Sequence, residues 1–527
     1  MTAKSRYDYL SSERTQFLDE AKKAADLTLP YLIRGNEEST KGMRNLPTPW
    51  QSVGAKGVVT LASKLMLALL PVQTSFFKLQ VDENQLGEEF GPEVKSELDL
   101  SFAKIERIIL ESIAASSDRV VVHQALQHLV VSGNALIYMG KEALKMYPLN
   151  RYVIERDGDG NVLEIITKEK IAKKLIENQV PEILQNYDSV VDGEEEEDNQ
   201  ECDIYTHVTR DNNRYIWHQE LYDQVIPKSS GKAPVDATPW IPLRFNSVDG
   251  EDYGRGRIGQ FLGDLKSLEA LSQALVEGSA AAAKVVFVVS PSSTTRPATL
   301  AAAGNGAIVQ GRPEDIGVIQ VGKTADFRTA YQMVEQFERR LNEAFLVLSV
   351  RQSERTTAEE VRMTQMELEQ QLGGLFSLLT VEFLLPYLNR ILNVMQKSGK
   401  IPRLPKDVVK PTIVAGVNAL GRGQDRESLG QFLATISQTM GPEAIQQHIN
   451  QEEVVKRLAA AQGIDVLNLV KSMEDKQQEQ QQAAQQQQQL EQTKQFPKVM
   501  STPMMDPSKN PALAAELQDR IPQPPME

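Results

Sequence analysis

Two glycine-bearing stretches have the spacing of nucleotide-binding motifs. Residues 317–324, GVIQVGKT, satisfy G-x-x-x-x-G-K-[ST] at every fixed position. In that pattern backbone amides cradle phosphates and the lysine reaches the terminal ones. Residues 254–259, GRGRIG, satisfy G-x-G-x-x-G, the turn that brings a pyrophosphate to a helix N-terminus. Each motif also needs a context. A phosphate cradle is a flexible loop after a buried strand, whereas Val318, Ile319 and Val321 are β-branched and favour extended chain. The preceding QGRPED reads as a turn, and no apolar strand downstream ends in an aspartate able to hold Mg²⁺. The dinucleotide motif requires an acid at the end of the second strand, where Ser290 and Pro291 stand instead. Arg255 and Arg257 are left as its only phosphate-directed groups. Both matches read as strand-to-helix turns. A P-loop NTPase or nucleotide-binding protein acting through residues 317–324 is the alternative function.

The remaining reactive side chains are sparse. His123 and His128 lie about 140° apart around a helix and form no i, i+4 metal pair. His207, His218 and His448 have no ligand-like neighbours in the sequence. Cys202, beside an acidic run, has its thiolate disfavoured, and no serine sits in a nucleophile elbow. The run DGEEEED at 192–198 reads as a solvated loop. No catalytic residue, cofactor site or metal ligand is therefore expected, and the chain does not read as an enzyme.

Composition agrees. The 527 residues are 41% hydrophobic and 24% charged, ordinary for a globular protein. The net charge of −14 argues against a general nucleic-acid binder, which carries a basic patch. It does not exclude a protein that surrounds DNA without gripping it. A lone cysteine excludes an intrachain disulfide. No apolar run approaches the ~20 residues of a membrane span, and the start has no signal-peptide centre.

Periodicity supplies the elements. Helices are expected over 5–29, 52–70, about 92–115 and 117–131, with a strand at 76–81. Between 133 and 250 the texture changes to short strands: ALIYMG, VLEIITKE, CDIYTHVTR, RYIWHQEL and WIPLRFN. A helix over about 258–284 carries Leu262, Leu265, Leu268, Leu271 and Leu275. Strands at 285–289, 306–311 and 316–321 follow. A second helix, about 325–348, carries the stripe Phe327, Tyr331, Val334, Phe337, Leu341, Phe345 and Leu348. After the polar SVRQSERT (349–356), Thr357 and Glu360 form a capping box for a third helix, with Gly373-Gly374 inviting a bend. Helical patterns around 425–440 and 442–473 lead to a glutamine-rich tract and a proline-punctuated tail.

Several of these blocks resemble one family. LPTPWQSVGAKGVVTLASKLMLALLP (46–71), YGRGRIGQFLGDLKSLEALSQALVEGSAAAAKVVFVV (253–289), NGAIVQGRPEDIGVIQVGKTADF (305–327), TAEEVRMTQMELEQQLGGLFSLLTVEFLLPYLNRIL (357–392) and GVNALGRGQD (416–425) are similar to the portal, or head-to-tail connector, proteins of short-tailed bacteriophages. The likeness covers roughly residues 7–470. It implies an α+β, mainly helical portal fold with wing, stem, clip and crown. Mapped by order, the wing is 1–257, with its strand-rich part at 133–250. Stem helices are 258–284 and 324–348, and the clip is 285–323. A tunnel loop lies at 349–356, a wing helix and return at 357–424, and the crown at 425–475. A helical Gln-rich extension (476–495) and a disordered tail (496–527) complete the chain.

The resemblance further implies a ring of twelve subunits at one capsid vertex. Its partners would be capsid and scaffolding proteins, the terminase large subunit, tail adaptor and internal core proteins, and double-stranded DNA passing without sequence specificity. By position, Arg351 and Arg355 of the tunnel loop and Arg362 on the next helix would face the DNA channel. They would either hold phosphates transiently or form salt bridges between subunits, and the sequence leaves both open.

Overall fold

A computed structural model of the chain describes residues 2–33, 46–71, 75–81, 92–140, 143–176, 201–282, 286–292, 296–304, 316–319, 324–347, 374–404, 409–413 and 432–441, with a few single positions besides. The chain divides into two compact units, residues 1–420 and 421–527, and nearly all described residues belong to the first.

Four helices open the first unit: α1 (Ala3–Asp26), α2 (Val53–Leu69), α3 (Pro92–Ala115) and α4 (Asp118–Ser132). The Thr2 side chain accepts from the Ser5 amide at the start of α1, satisfying one of its orphan donors. The α2 stripe of Val58, Leu61, Leu65 and Leu69 is fully buried. Helix α4 stops at Gly133, whose φ of 78° is the left-handed C-cap glycine adopts without strain. The chain turns there straight into a strand.

All paired strands among the described residues are antiparallel. A three-stranded sheet has the order β10 (Trp240–Arg244), β2 (Asn134–Met139), β3 (Leu144–Tyr147). A six-stranded sheet runs β4 (Tyr152–Arg156), β5 (Val162–Ala172), β6 (Glu201–Asp211), β7 (Arg214–Leu221), β8 (Gln224–Val225), with β9 (Gly231–Pro234) also on β7. Helix α1 lies on this sheet, where Ala3, Tyr7 and Leu10 pack against Val153, Ile166 and Tyr205. Two ribbons complete the set: β1 (Phe77–Val81) with β13 (Val409–Ile413), and β11 (Val286–Val289) with β12 (Ile316–Ile319).

Helices α5 (Leu262–Ala282) and α6 (Thr324–Ala344) form an antiparallel hairpin: Arg340 donates to Asp264 at one end, and Gly278 lies against Phe327 at the other. Its base enters the main core through Leu265, Leu268, Leu341 and Phe345. Helix α7 spans Gly374–Lys397 and includes a π-helical turn at Thr380–Leu384. It is long and apolar enough to cross a membrane, which corrects the sequence expectation that no run approaches that length. One face of it, Leu379, Phe383, Leu384, Tyr387 and Leu388, is fully buried in the protein core.

Mixed helix and antiparallel sheet agree with the α+β expectation. Four readings need correction. The helix expected over 258–284 is a short turn, Arg257–Gln260, and then α5, broken at Phe261. The expected strand at 306–311 is not seen at its described positions 308, 310 and 311, and a short helix, Pro297–Ala302, precedes them. Helix α6 ends at Ala344, not 348, because Leu346 takes φ 55°. Strands β3, β4, β8, β9 and β13 went unread because their apolar runs are short: Lys145 splits that of β3, and that of β4 is only Tyr152–Ile154 before Glu155. The acid run, the capping box, the 416–425 block and the glutamine-rich tract and tail lie outside the described residues.

Candidate functional site

The two glycine motifs resolve into packing. Residues 316–319 are strand β12, with Gly317 opposite Val288 and Val318 opposite Phe287. Successive amides of a strand point to alternate sides, so this half of the P-loop match cannot converge on a phosphate. Gly322 and Lys323 lie outside the described residues. GRGRIG follows β10, but β10 pairs with β2 and β11 pairs with β12. The parallel strand–helix–strand unit of a dinucleotide site is not formed.

Its glycines instead permit backbone-to-backbone contact. A Cβ on Gly254 would lie 2.7 Å from the Gly133 carbonyl oxygen, and one on Gly256 would lie 2.6 Å from that of Val131. The Asn134 side chain stitches the junction, accepting from the Gly254 amide and donating to its carbonyl, both at 2.7 Å. Close approach is thus the reason for these glycines. The positive φ belongs to Gly133 across the junction. Both arginines are engaged: Arg255 with Glu251 and Glu20, and Arg257 with the Ala344 carbonyl and Gln260. Burial lowers the Arg257 pKa from its ordinary value.

Arg351, Arg355 and Arg362 lie outside the described residues; the structure describes what holds the chain on either side of them. On the upstream side, Phe345 is fully buried against Phe261 and Gly57, where a Cβ would lie 2.5 Å from its ring. The Lys64 ammonium donates to the Leu346 carbonyl at 2.5 Å, and burial lowers its pKa. On the downstream side, Glu382 in the π turn accepts from the Arg244 amide (2.9 Å), Nε (2.8 Å) and Nη2 (2.6 Å). The Tyr387 hydroxyl donates to Asp118 at 2.6 Å. Burial first, then that carboxylate, pushes its pKa well up. The described chain on both sides of the arginines is therefore held to one core.

One sequence expectation is overturned. His207 and His218, read as lacking ligand-like neighbours, are directly opposite each other in β6 and β7, with ring centroids 5.4 Å apart. Glu220 lies two residues along β7, and its Oε1 is 2.9 Å from His218 Nε2. His207 Nε2 contacts Glu164 on β5. Burial would raise the Glu164 carboxyl, but hydrogen bonds from His207 and Arg6 outweigh it and hold it below the usual range. The signal was in the sequence. A two-residue turn at Asn212-Asn213 sets the register that brings 207 opposite 218. Cys202 is as expected: burial first, then Asp203, raises its thiol pKa.

The family described as "Bacteriophage head to tail connecting protein" matches residues 1–468. The chain is 39% identical over 485 residues to the portal protein of Enterobacteria phage T3, covering 90% of this chain and 89% of that protein. It is 37% identical over 486 residues to the portal protein of Escherichia phage T7, with the same coverage. Among solved structures it is similar to a chain from the neck of an empty GTA particle, at 12% identity and a TM-score of 0.37, covering 79% of this chain and 90% of that one.

Proposed function

The chain belongs to the bacteriophage head-to-tail connecting protein family, and from that premise we propose that it forms a dodecameric portal ring at one capsid vertex. The ring is a passage for double-stranded DNA during packaging and ejection and a platform for the terminase and the tail. Capsid, scaffolding and internal core proteins meet its periphery. The observation that carries this reading is a family match spanning residues 1–468. The helical hairpin supports it, since a single subunit leaves Val276, Tyr331 and Met333 exposed on helices whose bases are buried.

In this reading hairpin α5/α6 is the stem, ribbon β11/β12 belongs to the clip, and the clamped segment after α6 carries the tunnel loop. The chain makes and breaks no bonds. Its task is to be a stiff, low-friction passage. A duplex carries one charge per ~1.7 Å of axis. A uniformly basic wall would bind it and slow it. A net-negative wall keeps it near the axis, over a screening length of ~10 Å at moderate salt. Arg351, Arg355 and Arg362 then supply local rings of positive charge that hold phosphates transiently. Lys64 on one side and Arg244–Glu382 on the other hold the chain that flanks these arginines to one core.

Electron microscopy of the purified full-length chain tests the ring: closed particles with twelvefold symmetry and an axial hole are expected. A monodisperse monomer at every concentration would sink the proposal. For the arginines, particles carrying Arg351→Ala and Arg355→Ala together are expected to package but to leak DNA. Unchanged retention removes the valve role and leaves the ring intact.

A further inference from the structure

The six-stranded sheet carries a constellation that a DNA passage does not use. We propose that His207, His218 and Glu220 form a binding site for a divalent transition metal, with Zn²⁺ the ion it suits. One ring nitrogen of each histidine and a carboxylate oxygen of Glu220 all lie within 4.8 Å of one another. Zn²⁺ holds imidazole nitrogen and carboxylate oxygen at about 2.0–2.2 Å, with tetrahedral ligands about 3.3 Å apart. Closing the gap takes side-chain rotation and no movement of the strands.

The backbone already enforces the arrangement. Directly opposed residues of an antiparallel pair bring their Cβ atoms to about 5 Å, and residues two apart on one strand share a face. His207, His218 and Glu220 meet both conditions.

The surroundings are those of a supported metal site. Ligating imidazoles and carboxylates are held by outer partners that fix their orientation. Glu164 takes His207 Nε2 while its other oxygen accepts from Arg6 Nε at 2.8 Å. Glu220 keeps its second oxygen on the Ala3 amide, at 2.7 Å. Glu220 is buried, and the side chains of His207 and His218 are 15% and 30% exposed. The cluster is thus sheltered, with His218 the more exposed of the two histidines, and solvent would supply the fourth ligand. Two imidazoles and a carboxylate without thiolate suit Zn²⁺, Co²⁺ or Ni²⁺, and not Mg²⁺ or Ca²⁺, which prefer all-oxygen shells. Through Glu220 and Ala3, the bound ion would fasten the first turn of α1 to the β6/β7 pair.

The test uses untagged full-length protein, stripped with a chelator and titrated with Co²⁺ and then Zn²⁺. One Co²⁺ per subunit is expected, with the visible bands of a four- or five-coordinate ion, which Zn²⁺ then abolishes. His207→Ala and His218→Ala should lose the spectrum. Glu220→Gln should lose it too, although its amide oxygen can still accept from Ala3 and so preserve the fold, checked by circular dichroism. Glu164→Gln, which keeps all three ligands, should weaken Zn²⁺ binding by about 10- to 100-fold, and His123→Ala should change nothing. Absence of a Co²⁺ spectrum, or one equally strong in His207→Ala and His218→Ala, overturns the proposal.

Discussion

The body around α2, α4 and α7 and the hairpin α5/α6 solve the burial problem differently. The body pairs polar groups from distant segments: Glu382 accepts three bonds from Arg244, and Asp118 takes the Tyr387 hydroxyl. The hairpin is finished only at its base. Leu341 and Phe345 are fully buried, whereas Tyr331 is 64% exposed on the same helical stripe. A subunit thus completes its own body, and in the proposed ring its hairpin would be completed by neighbours. Substitutions should divide the same way, with body changes read in the stability of the chain and hairpin changes read in assembly.

The largest effect should follow Glu382→Ala. It leaves the Arg244 guanidinium, about one-tenth exposed, without its counter-charge, a loss of about 3–5 kcal/mol for a buried pair. A urea midpoint unchanged from the parent would mean that α7 and β10 are not coupled as the geometry requires.

His128 gives the next effect, as a pH dependence. It is buried in α4 with no hydrogen-bond partner at Nδ1, and burial pushes its pKa down to about 4. The unfolded chain takes up this proton below about pH 6.5, but the folded chain resists it until about pH 4. Stability therefore falls as pH drops through that window, by up to about 3 kcal/mol at 1.36 kcal/mol per unit. His128→Leu should flatten this part of the profile. An identical slope in both proteins would assign the acid sensitivity elsewhere.

The same division explains what could be read from sequence. Helices α1 to α3 show in the periodicity because each buries a single stripe, whereas α4 is buried on every side from His128 to Ser132. The stripe of α6, Phe327 to Phe345, was equally legible, but its apolar pattern does not say which residues meet the chain's own core and which stay exposed on the subunit. Pairings between distant segments were not legible: β1 with β13, more than 300 residues later, and Arg244 with Glu382 depend on topology that no local pattern encodes. The histidine pair was missed for a different reason. Its neighbours were sought along the chain, whereas an antiparallel strand supplies them from across a two-residue turn. The two nucleotide motifs show the reverse error, since spacing alone fits glycines that serve backbone packing equally well.

In the hairpin, Gly278→Ala should be nearly silent. Its Cβ would lie 2.6 Å from Phe327 Cε1, but that ring edge ends a half-buried side chain that can swing aside. Alanine also returns up to about 1 kcal/mol of helix propensity, so the unfolding free energy from urea titration should change by less than about 1 kcal/mol.

Smallest of all in stability should be Tyr331→Ser, and it separates the two regions most cleanly. A residue exposed to that degree contributes little to its own subunit, so unfolding should shift by no more than about 0.5 kcal/mol. If neighbouring copies cover this face, the substitution exposes polar surface where a ring buries an aromatic side chain, and aromatic residues dominate interface energetics. Sedimentation velocity should then show fewer rings and more free subunits at equal concentration. Loss of stability without loss of rings would place Tyr331 in the chain's own core, and no effect on either would mean that the hairpin closes on its neighbours through some other face.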